Sequence, residues 1–147
     1  MELELKLRIV LERPPAGVDF GLQKGKGSRY ETIQTRRSAA KDLMFEFPVG
    51  VHDRGKGEGA DFRGPFVQGP RDGRFVYIDI GTYAGQTDSC WSRRLKVPLS
   101  GITWKMVERV LGDGRAVLET RVPGTGRDGG PSCATVKPFP GWRVVRR

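Results

Sequence analysis

Few residues in this chain have side chains suited to catalysis, and their spacing limits the chemistry open to them. His52 is the only histidine, and general acid–base catalysis at neutral pH most often uses that side chain. It abuts a glycine-rich loop with no nucleophile near it in sequence, so a non-catalytic role is the plainer account. A histidine-rich zinc site is excluded by count. The two cysteines, Cys90 and Cys133, lack CxxC or zinc-ligand spacing. Cys90 stands next to Trp91 and close to Arg93 and Arg94, and positive neighbours activate a thiol. An ordinary loop cysteine explains it as well. Cys133, within a short strand pattern, reads as core filler. Asp19, Asp61, Asp79 and Asp88 are the candidates for a carboxylate pair, but nothing in their spacing brings two together. Asp79 lies inside the apolar run Arg74 to Ile80 (RFVYIDI). Its simplest role is a solvated-face residue paired with a cross-strand arginine such as Arg94.

Residues suited to binding are more numerous. Gln23 and Gln68 each follow apolar strand residues and precede glycine-containing turns. Tyr83, Trp91 and Arg93 sit in or beside the loop Thr82 to Ser92 (TYAGQTDSCWS). Amide, aromatic and guanidinium groups of this kind orient polar ligands in pockets. The loop exceeds the two to five residues usual in a hairpin, and long loops are often functional. A ligand site is therefore expected beside it, built from Gln23, Gln68, Asp79, Tyr83, Trp91 and Arg93. The alternation of Ser92 to Leu99 (SRRLKVPL) places Leu95, Val97 and Leu99 on one face, with Arg93 on that core-side face and Arg94 and Lys96 outside. The loop Lys24 to Ser28 (KGKGS) superficially suggests a phosphate loop. Gly21 to Gly25 leaves three intervening residues where the Walker pattern needs four, and no convincing helix follows, so that reading fails.

Charge narrows the class of partner. The chain has 147 residues and a net charge of +9, and a surplus of that size attracts anions. Lys24, Lys26, Arg36, Arg37, Arg71 and Arg94 are the expected basic surface. The charges are dispersed pairs, such as Arg36-Arg37 and Arg146-Arg147, rather than the basic run of a nucleic-acid tail. An anionic small molecule is the first expected partner and nucleic acid the second. A small isomerase or hydrolase acting through Asp and Arg groups is a third reading. The opening Met1-Glu2-Leu3-Glu4 is no signal peptide, and no apolar run approaches the ~20 residues of a membrane helix. A cytoplasmic protein with reduced thiols follows, needing no cofactor or metal, with a Cys90–Cys133 disulfide as the minority alternative.

The elements that must position these residues are strands. Glu2 to Glu12 (ELELKLRIVLE) alternates with Leu3, Leu5, Leu7, Ile9 and Leu11 on one face, the period of a half-buried strand. Val18 to Gln23, Tyr30 to Thr35, Leu43 to Val51, Arg74 to Ile80, Ser92 to Leu99 and Arg115 to Val122 add six more. Ser132 to Lys137 and Trp142 to Val145 close the chain. Pro48 falls on the outward set of its strand, which implies an open edge there. His52 to Gly64 reads as a loop with a dispensable tip. One helix is expected over Ile102 to Leu111, capped by Thr103, with Trp104, Val107 and Leu111 on one face and Gly112 at its end. One-sided amphipathic strands need a second apolar layer. The expected fold is a single all-β domain, an antiparallel sandwich of about eight strands, with a small closed barrel as alternative.

The segments FGLQKGKG, GPFVQGP, RFVYIDIGTYAGQ, WSRRLKVPLSGITW and PGTGRDGGPSCATVKPFPGW give the chain a wider resemblance. Over nearly its whole length it resembles a bacterial family of small proteins catalogued only as a domain of unknown function. The resemblance implies no activity and no catalytic residue.

Overall fold

The computed structural model describes residues 3–26, 29–55, 59–83, 85–86, 90 and 92–147. Strand β1 (Leu3–Glu12) is followed by β2 (Asp19–Lys26), β3 (Arg29–Arg37), β4 (Leu43–Asp53) and β5 (Ala60–Arg63). A short 3-10 turn, Arg71–Gly73, leads into β6 (Phe75–Ile80) and β7 (Arg94–Pro98). Helix α1 (Trp104–Leu111), β8 (Ala116–Pro123), β9 (Ala134–Thr135) and β10 (Arg143–Arg146) complete the chain.

These strands form two five-stranded sheets, ordered β10-β8-β1-β4-β5 and β3-β2-β6-β7-β9. The apolar faces share one core. Leu7, Ile9, Leu11, Phe45, Phe47 and Leu118 from the first sheet meet Phe20, Leu22, Val76, Ile78, Leu95 and Val97 from the second. Each such side chain stabilises the fold by about 1.5–3 kcal/mol on burial. The alternation of β1 sends Leu5, Leu7, Ile9 and Leu11 into this core and leaves Leu3 36% exposed at the strand's start.

The arrangement is mostly β and sandwich-like, but it departs from the expected all-antiparallel sandwich of about eight strands. Among the described residues there are ten strands, and both sheets are mixed. Strand β1 pairs antiparallel with β4, in the register Leu7↔Phe47, but parallel with β8, in the register Leu7↔Leu118. Strand β7 likewise pairs parallel with β9. Strand direction follows from which end the chain re-enters after crossing the molecule, and a period of two carries no such information. Nor is the closed barrel present, since each sheet ends in two edge strands.

Local details follow the sequence with three corrections. Glu46 and Met44 turn their carbonyls toward the open edge of β4, where Gln34 Nε2 donates to Glu46 O at 3.0 Å and Arg36 donates to Met44 O. A residue's N–H and C=O point to the same side of a strand, so Pro48, two residues on, places its missing N–H on that open edge. Strand β5 covers only Gly50 to Asp53 of β4. The first correction is β5 itself, since Ala60–Arg63 lies in the stretch expected to be loop. Its Asp61 and Phe62 are buried. The loop tip, residues 56–58, lies outside the described residues. The second correction is helical. Thr103 caps α1 by accepting from Met106 N at 3.2 Å, but the buried face is Val107 and Val110, while Leu111 is 40% exposed. Gly112 ends the helix in a right-handed conformation (φ −84°), donating to Glu108 O. The third concerns Arg93, described below.

Candidate functional site

The outer faces of the two sheets differ in charge. On the first, cations are matched by carboxylates. Arg8 meets Glu119 at 3.0 Å and Glu46 at 3.9 Å, and Arg121 meets Asp42 at 2.8 Å, Glu12 at 3.4 Å and Glu119 at 3.5 Å. The outer face of the second sheet carries Phe75, Tyr77 and Asp79 from β6, Arg94 and Lys96 from β7, and Gln23 from β2. Both aromatic rings there are covered by cations. Lys96 Nζ lies 4.2 Å from the Phe75 centroid, and the Arg94 guanidinium 5.2 Å from that of Tyr77.

Gln23 holds the centre of this face. Strands β2 and β6 stay paired only from Phe20↔Ile80 to Leu22↔Ile78. Beyond that point the chain at Pro65 to Gln68 takes over: Gly25 N donates to Pro65 O at 2.6 Å, and Gln68 and Phe75 exchange backbone bonds of 2.9 Å. Gln23 sits at the divergence, 3% exposed. Its Nε2 donates to both Asp79 oxygens at 3.2 and 3.4 Å, and its Oε1 accepts from Gln68 Nε2. A buried amide is tolerated only when so satisfied. Thr32 Oγ1 donates to Asp79 Oδ2 at 2.7 Å, and Arg94 Nε lies 3.6 Å from Asp79 Oδ1. Asp79 is thus a carboxylate locked by three neighbours, including the cross-strand Arg94 paired with it in register.

Beside this network opens a cleft of about 430 Å³, lined by Gln23, Thr32, Asp79, Thr82, Arg93 and Arg94 among others. Arg93 is not on the core side, contrary to the alternation of its neighbours. It lies just before β7 in a left-handed conformation (φ 51°) and is exposed. The backbone explains the break: Arg93 N donates to Cys90 O at 3.0 Å and Arg93 O accepts from Ile80 N at 2.8 Å. The turn so closed takes Arg93 out of the strand register. Its Nη1 donates to Thr82 Oγ1 at 2.7 Å.

Of the expected site residues, Gln23, Gln68, Asp79 and Arg93 therefore cluster around one network and one cleft. Tyr83 is not among the cleft's lining residues. It packs against the core, where burial, with Cys90 beside it, pushes its hydroxyl up to about 12. Burial and Cys90 likewise push the half-buried Cys133 thiol up to about 12. Neither cysteine is in a disulfide. Trp91, Asp88 and the Lys26 side chain lie outside the described residues. Arg36 and Arg37 are taken up locally: Arg36 lies over the Phe45 ring at 5.5 Å and Arg37 pairs with Asp19 at 3.2 Å. Lys24 lies 5.9 Å from the Phe66 centroid, and Arg71 lines a separate groove.

Sequence reasoning missed a second polar cluster. Asp61 is fully buried on β5 and is met by Arg74 Nε at 3.3 Å and by Arg63 Nε and His52 Nε2 at 3.4 Å. Burial alone would raise its pKa, but the hydrogen bond and charge of Arg74, with His52 and Arg63, outweigh that and hold the carboxyl below its usual value. The only signal was its place between Ala60 and Phe62 in what read as a loop. None of four clefts among the described residues is lined by two of Asp19, Asp61, Asp79, His52 and Cys90. No group of three His, Cys, Asp or Glu side chains among them has metal-ligand geometry. Among the described residues no helix is long and apolar enough to cross a membrane.

Fold and site together define a two-sheet β protein with a polar, hydrogen-bonded cleft on the outer face of one sheet. The chain belongs to a Family of unknown function (DUF5990), whose model matches residues 5–145. Neither the curated proteins nor the solved structures contain a match.

Proposed function

We propose that this protein is a non-enzymatic binding module that takes a polar ligand bearing an anionic group in the cleft beside Gln23 and Asp79. The observation that carries this reading is the pairing of a rigid floor with a cationic rim. The Gln68–Gln23–Asp79–Thr32 chain fixes every polar atom it uses before a ligand arrives, so little entropy is lost on binding. Arg93 and Arg94 stand above it. Arg93 has a hydroxyl partner and, among the described residues, no carboxylate partner, so its fork offers further donors to an anion. Its left-handed backbone costs on the order of 1–2 kcal/mol for a non-glycine residue, and retained strain of this kind is a reason to look for function. The cleft volume lies in the range of small-molecule sites.

Thermal-shift screening against a panel of carboxylates, phosphates and sulfated compounds tests the reading, with native mass spectrometry of protein purified from its own host to find a retained ligand. Arg93→Ala should abolish binding of whatever scores and leave the melting temperature nearly unchanged. Unfolding of Arg93→Ala would make Arg93 a structural residue and the site wrong.

Nucleic acid is the second reading, favoured by one observation: Phe75 and Tyr77 alternate with Arg94 and Lys96 on an open sheet face. Against it, both rings are already occupied by those cations, whereas base stacking needs free ring faces. A gel shift with mixed-sequence RNA and DNA at low salt, showing no retardation at micromolar protein, removes it.

A further inference from the structure

The geometry points to a second site, distinct from the Gln23 cleft: a groove in which Arg54, Arg71, Arg74 and Lys96 bind the phosphate group of a small phosphate ester. The groove measures about 490 Å³ and lies at the other end of the same sheet face, where the Arg71–Gly73 turn faces the end of β7. Four cations line it. Among the described residues the one carboxylate lining it is Asp72, which is 83% exposed at its side chain. The Gln23 cleft is different, because its lining sets Arg93 and Arg94 against Asp79 and Glu31. Like charges gathered in one concavity repel one another, and low-dielectric walls strengthen the field they project. An anion relieves that repulsion, and a phosphate dianion relieves it best.

Three of the four cations are already held in place. Arg74 Nε donates to the buried Asp61 at 3.3 Å, and its Nη1 donates to Gly69 O at 2.5 Å. Arg54 pairs with Asp72, and Lys96 stands over the Phe75 ring. A fixed guanidinium loses little freedom when it meets its anion, and its planar fork matches two phosphate oxygens. Asp61 neutralises one face of Arg74 from beneath and is shared with Arg63 and His52, so it does not cancel the groove's own surplus. Arg54 adds a further sign. Its Nε is buried with no hydrogen-bond partner among the described residues, a state that costs free energy until an acceptor arrives. Arg71, exposed on its 3-10 turn, completes the ring from the solvent side. Phe75 and Ile102 give the groove an apolar flank for the organic part of an ester.

Isothermal titration of the full-length protein tests this with three probes: adenosine 5′-monophosphate, inorganic pyrophosphate and adenosine. The expected result is binding of at least one phosphate-bearing probe, at least tenfold tighter than adenosine, that weakens with added salt as screening demands. Arg71→Glu and Lys96→Ala should each weaken that binding at least tenfold, while Arg109→Ala, at an exposed helix cation outside both clefts, leaves it unchanged. Arg71 is exposed and outside both sheets, so its variant keeps the test valid if Lys96→Ala loses stability. The proposal is overturned if neither phosphate-bearing probe binds below millimolar concentration, or if adenosine binds as well as its monophosphate. Loss of binding in Arg93→Ala but not in Arg71→Glu overturns it too, by moving the anion to the Gln23 cleft. Binding of a short RNA oligonucleotide with no binding of either small probe would also overturn it, in favour of a nucleic-acid surface.

Discussion

Replacing Asp61 by asparagine is the sharpest test of how this fold is held together. The carboxylate is fully buried and accepts from Arg74 on one oxygen, with Arg63 and His52 on the other. Asparagine keeps the shape, but one oxygen becomes an amine donor that must face either Arg74 or the Arg63–His52 pair. Removing one partner of a buried ion pair costs about 3–5 kcal/mol, because the other charge is left uncompensated. Here Arg63 is 59% and Arg74 25% exposed at the side chain, so both recover part of that loss in water. The expected cost is therefore about 2–3 kcal/mol. At about 2–4 °C per kcal/mol for a chain of this size, Asp61→Asn should melt about 4–12 °C below wild type at pH 7, followed by circular dichroism. The pH dependence has a definite sign. Asp61 has a folded pKa below its unfolded value of 3.8, so its ionisation contributes in full above that value. The contribution is lost as pH falls through the folded pKa. The gap between wild type and variant should hold at pH 7 and pH 5 and close below about pH 4. A melting temperature within about 2 °C of wild type at pH 7, or a gap that widens in acid, would refute the reasoning.

Two other outcomes check different parts of the structure. A Cβ added at Gly124 would lie 2.5 Å from Glu12 O and 2.7 Å from Pro14 N and Cα, all backbone atoms that cannot rotate away. Gly124→Ala should therefore lose about 1–3 kcal/mol in urea unfolding, and a neutral result would mean that β1 and β8 are not clamped at this point. Cys90 is 1% exposed, and the Cys133 thiol is pushed up to about 12, which leaves on the order of one thiolate in ten thousand at pH 8. Iodoacetamide at pH 8 should label neither cysteine in the native protein within an hour and both in urea, as read by intact mass; stoichiometric native labelling would contradict the burial of Cys90 and the raised Cys133 thiol.

Alternation in the chain alone determined the β class, the core faces of β1, β4, β6 and β7, the capped helix after Thr103, and the open edge at Pro48. It could do so because those features depend on contacts a few residues apart, where a period of two and the chemistry of proline and threonine decide the outcome. Membership of Gln23, Gln68 and Asp79 in one cluster was suggested by residue type, yet their meeting depends on the divergence of β2 from β6 and the entry of Pro65 to Gln68 between them. Residues 23, 68 and 79 have no local reason to meet. The parallel pairings of β1 with β8 and β7 with β9 were likewise beyond the sequence, since alternation is the same in either direction. Arg93 shows the limit most plainly. Its neighbours alternate as a strand, and the pattern sends it inward, but the bonds from Cys90 and Ile80 close a left-handed turn that puts it in solvent. The burial of Asp61 and the gathering of Arg54, Arg71, Arg74 and Lys96 were decided by tertiary structure for the same reason: a net charge says how many cations the chain has, and only the packing of distant strands says which of them are left facing one another.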